Sequence, residues 1–378
     1  MNILILEPYF TGSHAAWAEG YAKHSRLQVE ILSLSGNFWK WRIHGGAVTL
    51  ARQFLASDLK PDLLLATDML DLTTFLALTR KRTAAVPTAA YFHENQLCYP
   101  WSASDRDVKY ERDKHYGFIN YATALAADAV FFNSDYHMNS FLAELPRFLK
   151  DFPDHQELES AEAIKSKSCV LPLGLDLARF DPFRPETPKA DSQIQNPPSG
   201  PALILWNHRW EYDKNPQEFF QALFALAEKG VDFEVAVLGE CFSQKPEEFD
   251  QARKKLGKRV VQFGYVDAFE EYARWLWRAD ILPVTSIQDF FGTSVVEAMY
   301  CQCFPLLPRR LAYPELIPEE LHLRHFYEGF DDLVKRLVQA VKEVESFRSH
   351  TLKSVAEAYD WRKWAPIYDG LWQKFFAK

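Results

Sequence analysis

The stretch Ile281-Leu-Pro-Val-Thr-Ser-Ile-Gln-Asp-Phe-Phe-Gly-Thr-Ser-Val-Val-Glu-Ala-Met299 reads as a short apolar strand that runs through a loop into a helix. Between strand and helix stand an acid (Asp289), two phenylalanines, Gly292 and two small hydroxyl residues, and a second acid, Glu297, follows inside the helix. Such a strand–loop–helix order is how an open α/β sheet presents a loop to a ligand. Gly292 allows close backbone approach, and the Thr293 and Ser294 N–H groups at the helix start would point at an anion such as a diphosphate. Asp289 and Glu297 suit the hydroxyls of a sugar or ribose, because carboxylates accept paired hydrogen bonds and repel anions. Taken singly, Asp289 would be a turn residue and Glu297 a solvated helix residue; the neighbouring motif weighs against that.

That neighbour is Leu205-Trp-Asn-His-Arg-Trp-Glu-Tyr-Asp-Lys-Asn-Pro216, a loop leaving another apolar run. Arg209 and Lys214 lie five apart across a turn and can converge on one anion, the arginine through its planar fork and the lysine as a point charge. Fixed cations beside a helix start would stabilise a departing nucleotide diphosphate without a metal, and no metal cluster is expected.

Further outward, apolar runs alternate with amphipathic stretches along the whole chain. In the first half they are Ile3 to Leu6, Val29 to Leu34, Leu63 to Ala66, Ala89 to Phe92, Ala129 to Phe132 and Cys169 to Leu173. After a segment with six prolines (Ala178 to Pro201), the runs resume at Ala202 to Trp206, Phe233 to Leu238, Val260 to Phe263, Ile281 to Val284 and Cys303 to Leu307. Continuous apolar runs separated by helical stretches predict parallel strands covered on both faces. The expected architecture is therefore α/β: two doubly wound Rossmann-like domains, 1–178 and 202–354, joined by a Pro-rich linker, 179–201. Apolar and aromatic residues at helical spacing predict a C-terminal helix over 355–378 that packs back on the first domain. Two such domains facing one another would place a cleft at the carboxyl ends of both sheets.

Composition agrees with two globular domains. The 378 residues are 48% hydrophobic and 25% charged, which excludes a disordered or fibrous chain. Aromatic content is 15%, enough to leave rings for stacking on sugars or bases. A formal net charge of −8 leaves no global field for nucleic acid, so any RNA contact must come from a local basic patch. Five scattered cysteines point to a reducing compartment. The opening Met1-Asn-Ile-Leu-Ile-Leu-Glu7 lacks a basic start and reads as a strand, and no apolar run approaches the ~20 residues of a membrane span, so a cytoplasmic location is expected.

In the first domain, Ala89-Ala-Tyr-Phe-His-Glu-Asn-Gln96 ends with His93, Glu94 and Asn95 where a parallel strand delivers side chains to a ligand. Thr11-Gly-Ser-His14 follows the first strand, with Gly12 free for close approach and Ser13 and His14 opening a helix. The segment from Arg106 to Tyr116, with Lys109, Arg112 and Lys114, mixes charges and tyrosines just after the His93 strand and could line the acceptor side. A charged helix face is the plainer alternative for it, as a helix cap is for His14. Cys301 and Cys303 are too few for a zinc site.

These motifs resemble the retaining GT-B glycosyltransferases of family 4 over both domains. The resemblance implies that Asp289 contacts the transferred sugar and Glu297 the ribose. Arg209 and Lys214 would hold the diphosphate, His93 would lie near the reacting sugar, and Gly12 with Ser13 would form the N-terminal glycine loop. Asp289 stands where that family usually has Glu, one methylene shorter. Four strings, Phe92-His-Glu-Asn-Gln-Leu-Cys-Tyr-Pro-Trp101, Tyr116-Gly-Phe-Ile-Asn-Tyr121, Phe131-Phe-Asn-Ser-Asp-Tyr-His137 and Asn207-His-Arg-Trp-Glu-Tyr-Asp-Lys-Asn-Pro216, are similar to the branch that mannosylates queuosine in tRNA. That similarity implies GDP-mannose as donor and the cyclopentene-diol of queuosine in tRNA-Asp as acceptor. A lipid or small-glycoside acceptor, or a non-catalytic binder of nucleotide sugar or tRNA, are the alternatives.

Overall fold

The computed structural model describes residues 1–102, 105–110, 114–186, 200–241, 247–348 and 352–376. The chain divides into two compact units, Met1–Asp176 with Trp361–Lys378, and Leu177–Asp360.

The first unit is built on six parallel strands: β1 (Asn2–Phe10), β2 (Gln28–Ser35), β3 (Leu63–Thr67), β4 (Thr88–Phe92), β5 (Ala129–Phe132) and β6 (Ser168–Val170). Their order is β2-β1-β3-β4-β5-β6. All five residues of β3 and of β4 are buried, which is why these strands read as unbroken apolar runs. Because β1 lies between β2 and β3, the winding direction reverses there, and ligands of open α/β sheets bind beyond the strand ends at such a reversal.

The second unit repeats the plan with β7 (Ala202–Trp206), β8 (Phe233–Val237), β9 (Val260–Phe263), β10 (Ile281–Pro283), β11 (Phe304–Pro308) and β12 (Phe326–Tyr327) in the order β12-β11-β10-β7-β8-β9. Its reversal falls between β7 and β10, the strands that precede the Arg209 loop and the Asp289 loop. The two-residue β12 escaped the sequence reading because it is too short for any periodicity.

Two boundaries differ from expectation. The first part of the expected linker is a 3-10 helix, Leu177–Phe183, inside the second unit: Leu177 and Phe180 are fully buried, and the Trp277 indole donates to the Phe180 carbonyl at 2.8 Å. Prolines shaped this segment without making it a spacer, because its intervening apolar residues found a core. The later linker residues 187–199 lie outside the described residues. The final long helix begins at Trp361, six residues later than expected, after the short turns Lys353–Ala356 and Glu357–Tyr359.

This last helix completes the first unit. Trp361, Tyr368 and Trp372 are fully buried, and Asp369 accepts hydrogen bonds from Tyr21 Oη (2.7 Å), Ser25 Oγ (2.6 Å) and the Arg26 N–H (2.8 Å). Gly20 and Gly174 are glycines because a Cβ at either place would overlap the Trp361 ring.

Candidate active site

In the second unit the predicted motifs meet at the β7/β10 reversal. Gly292, with φ of 99°, caps the helix Thr293–Tyr300, a left-handed conformation that costs glycine little. A side chain there would also press on Leu316 and Tyr313. Lys214 is held by three oxygens: the Gln288 carbonyl at 3.0 Å, Asp213 at 3.2 Å and Asp289 at 3.5 Å. Burial works against its charge, but Asp289 and Asp213 together hold the ammonium above its ordinary range. Asp289 also accepts from Tyr313 Oη at 3.2 Å and from the Phe291 N–H at 3.3 Å. Arg209 is more open and lies 3.2 Å from Glu211.

Glu297 is buried, contrary to the solvated reading of an isolated helix acid. It accepts from Arg179 at 2.9 Å and from Tyr272 Oη at 2.9 Å. Two neighbours were missed from sequence. His208 meets Ser294 Oγ at 3.0 Å through Nδ1, while its buried Nε2 has no partner. Burial, with Lys214 and Arg209 nearby, lowers His208 to about 4 against the pull of Asp289 and Asp213, so the ring is neutral at pH 7. Asn207 donates to the Ser294 carbonyl at 2.9 Å, tying the β7 loop to the helix start. A histidine and an asparagine inside a charged loop carry no spacing signal that would single them out.

In the first unit a second cluster forms at the β1/β3 reversal and the end of β4. His14 opens the helix Gly12–His24, and its Nδ1 lies 2.9 Å from Glu7 Oε2; both side chains are buried. Burial opposes the imidazolium, yet Glu7 by charge and hydrogen bond, with Asp68 and Glu94 farther off, lifts His14 to about 9. His93 packs against His14, Trp17 and Tyr91 with ring centroids 4.3, 4.8 and 4.9 Å away, and neither ring nitrogen has a hydrogen-bond partner. Burial, then the charge of His14 and the nearby His137, keeps His93 far below its ordinary range. Its backbone N–H donates to Asp68 Oδ1 at 2.8 Å. Asn95 is a loop organiser, its Oδ1 accepting from the Leu97 and Cys98 N–H groups at 3.1 and 2.9 Å. Gly12 has a φ of 51° and open space where a Cβ would stand, with Ser13 exposed beside it.

Glu7, His14 and His93 hold donor atoms within 4.8 Å of one another. The Glu7–His14 contact is a charge-assisted hydrogen bond, and a metal ion there would have to displace its proton.

The basic segment is less concentrated than its sequence suggests. Asp105 and Asp107 are neutralised by Lys40 at 2.6 and 2.5 Å, and Lys114 pairs with Asp151 at 2.8 Å. Arg106 and Lys109 occupy one short helical turn, Arg106–Lys109, and Arg112 lies outside the described residues. Among the described residues no helix is long and apolar enough to cross a membrane. The five cysteines form no disulfide, and Cys301 and Cys303 are buried.

Two all-parallel six-stranded units, each with polar side chains gathered at its strand reversal, give the chain the GT-B fold, and its match to the glycosyl transferase model makes it a glycosyltransferase. Sucrose-phosphate synthase from Thermosynechococcus elongatus superposes with a TM-score of 0.68 at 14% identity, covering 100% of this chain and 99% of that one. Residues 188–350 match the model for glycosyl transferases group 1, and residues 2–175 match the model for the N-terminal part of tRNA-queuosine alpha-mannosyltransferase. The Drosophila melanogaster tRNA-queuosine alpha-mannosyltransferase is 37% identical over 351 residues, 92% of this chain and 89% of the fly protein. The chain belongs to the tRNA-queuosine alpha-mannosyltransferase family. A GDP-mannose-dependent phosphatidylinositol dimannoside mannosyltransferase from Mycobacterium tuberculosis is 24% identical over 204 residues, 52% of this chain and 50% of that protein.

Proposed function

We propose that this protein transfers mannose from GDP-mannose to queuosine in tRNA-Asp, with retention and without a metal. Membership of the family, shared along almost the full length of the fly relative, carries the acceptor assignment. The mycobacterial relative's GDP-mannose dependence supports the donor.

The second unit's cluster suits the donor. Arg209, Lys214 and the amides at the Gly292–Thr293 helix start would neutralise the diphosphate as the bond from the anomeric carbon to its phosphate oxygen breaks. Asp289 would accept from the sugar hydroxyls and Glu297 from the ribose, each already oriented by a tyrosine: Tyr313 for the first and Tyr272 for the second. Asp289 lies beside Lys214 and Glu297 beside Arg179, and a diphosphate would draw Lys214 towards itself. The acceptor hydroxyl attacks the same face that the diphosphate leaves, and its proton passes to the departing phosphate oxygen. No protein base is required. In the first unit, Gly12 and Ser13 would sit at the donor, while His93, His14, Glu94 and Asn95 meet the acceptor. Arg106, Lys109, Arg112 and Lys114 would contact tRNA phosphates.

Incubation with GDP-mannose and queuosine-containing tRNA, followed by mass spectrometry of the released nucleosides, tests this directly. The expected product is queuosine carrying one hexose. Unmodified queuosine under these conditions, or transfer only from another nucleotide sugar, would refute it.

A further inference from the structure

The first unit gathers more negative than positive charge at its strand reversal. Glu7 is satisfied by His14 and by the Tyr9 N–H at 2.8 Å. Asp68 is 1% exposed and accepts from one backbone N–H, that of His93. Glu94 accepts from the Gln96 side-chain amide at 3.0 Å. Among the described residues, neither Asp68 nor Glu94 has a lysine or arginine within ion-pair distance, and the one nearby cation, His14, is bound to Glu7. Burying the Asp68 carboxyl this way, with the half-buried Glu94 beside it, is costly unless a partner arrives or it stays protonated.

A second observation points to a ligand. His93, 7% exposed, leaves both ring nitrogens without partners beside these acids, although buried polar atoms are almost always paired. Burial also keeps the Asp68 carboxyl well above its ordinary range, the state expected of an acid whose counter-charge is missing.

Queuosine joins its cyclopentene-diol to the deazaguanine through a secondary alkylamine, which is cationic at neutral pH. A reader of the diol is therefore only a few bonds from a positive charge. We propose that Asp68 and Glu94 bind this ammonium and so select the acceptor, with the neutral His93 ring facing the adjoining diol. This rests on the acceptor reading above. The amine would donate its two N–H groups to the two carboxylates, and Asp68 would release its proton as the cation enters. A neutral diol would leave the buried Asp68 and the half-buried Glu94 without a counter-charge, which is how a polar site rejects an analogue lacking one hydrogen-bonding group.

The test compares queuosine nucleoside with its ether analogue, in which oxygen replaces the amine nitrogen, by calorimetric titration of the protein in the presence of GDP. The parent is expected to bind the amine at least ten-fold more tightly. Asp68→Asn, which keeps the acceptor for the His93 N–H, and Glu94→Gln should each erase most of that preference. In transfer assays these variants should raise the KM for queuosine tRNA while the KM for GDP-mannose stays within two-fold. Equal or absent binding of the two nucleosides by the parent overturns the proposal, as does undiminished selectivity in both variants. Failure of the parent to mannosylate queuosine tRNA instead refutes the acceptor reading, and the titration still decides whether these acids recognise the amine.

Discussion

At the scale of single residues, Arg209 and Lys214 differ more than their shared charge suggests. Arg209 is partly open, so Arg209→Ala should leave thermal unfolding unchanged while lowering kcat/KM ten-fold to over a hundred-fold, the range for a lost charge-assisted contact of about 1.5 to 3 kcal/mol. Near-normal turnover would remove it from the donor site. Lys214 is buried between Asp213 and Asp289, and its removal takes the ammonium from both acids. Lys214→Ala is therefore expected to lower the melting temperature as well as the rate, and Lys214→Arg to recover more stability than activity. His14 supplies a pH signature. Its folded pKa of about 9 lies above the unfolded value of 6.5, so its contribution is complete below pH 6.5 and is lost as pH rises through 9. The loss is on the order of 3 kcal/mol. Asp68, also raised, acts in the same direction. Urea midpoints measured across pH 6.5 to 9 should fall, and His14→Gln should flatten that slope; an equally steep fall in the variant would show that the pair is not responsible.

At the scale of elements, the first unit depends on a helix that arrives 185 residues after Asp176, the difference between 361 and 176. Trp361 fills the space left by Gly20 and Gly174, and it has no room to turn aside because it is fully buried. Gly20→Ala should destabilise the protein by about 1 to 3 kcal/mol through overpacking, even though alanine is the better helix former. An unchanged or raised urea midpoint would mean that the helix adjusts freely. The apolar strands and the amphipathic last helix were legible because their residue types alternate with the geometry of the element. Glu7 was not, since an acid in an apolar run reads as the end of a strand, whereas β1 continues to Phe10 and carries Glu7 buried inside it.

At the scale of the whole molecule, the charge of −8 opposes tRNA. Binding through a local patch releases counterions, so tRNA affinity should drop steeply between 50 and 200 mM salt (a range of roughly this span is diagnostic) while GDP-mannose affinity changes less. Arg106→Glu with Lys109→Glu should weaken tRNA binding and reduce the salt slope, leaving donor binding intact. Parent-like affinity and slope would place the RNA surface elsewhere. Exhaustive treatment with a chelator should leave transfer unchanged, since Arg209, Lys214 and the helix start neutralise the diphosphate in the proposed reaction. Loss restored by a divalent ion would instead direct attention to Glu7, His14 and His93.

The sequence by itself determined the two wound sheets and the two loops, one with Arg209 and Lys214 and one ending at Gly292, because those signals are local: apolar runs of strand length, a glycine before a helix, two cations across a turn. Tertiary structure alone decided that the closing helix begins at Trp361 and fills the space beside Gly20 and Gly174, that Glu297 is buried against Arg179 and Tyr272, and that Glu7, Asp68 and Glu94 share one site with His14 and His93. Those acids come from the first, third and fourth strands and their following turns, and nothing in one strand's residue pattern records the end of another. Parallel pairing brings the ends together, and burial then gives each carboxyl a charge state that no residue could have in isolation.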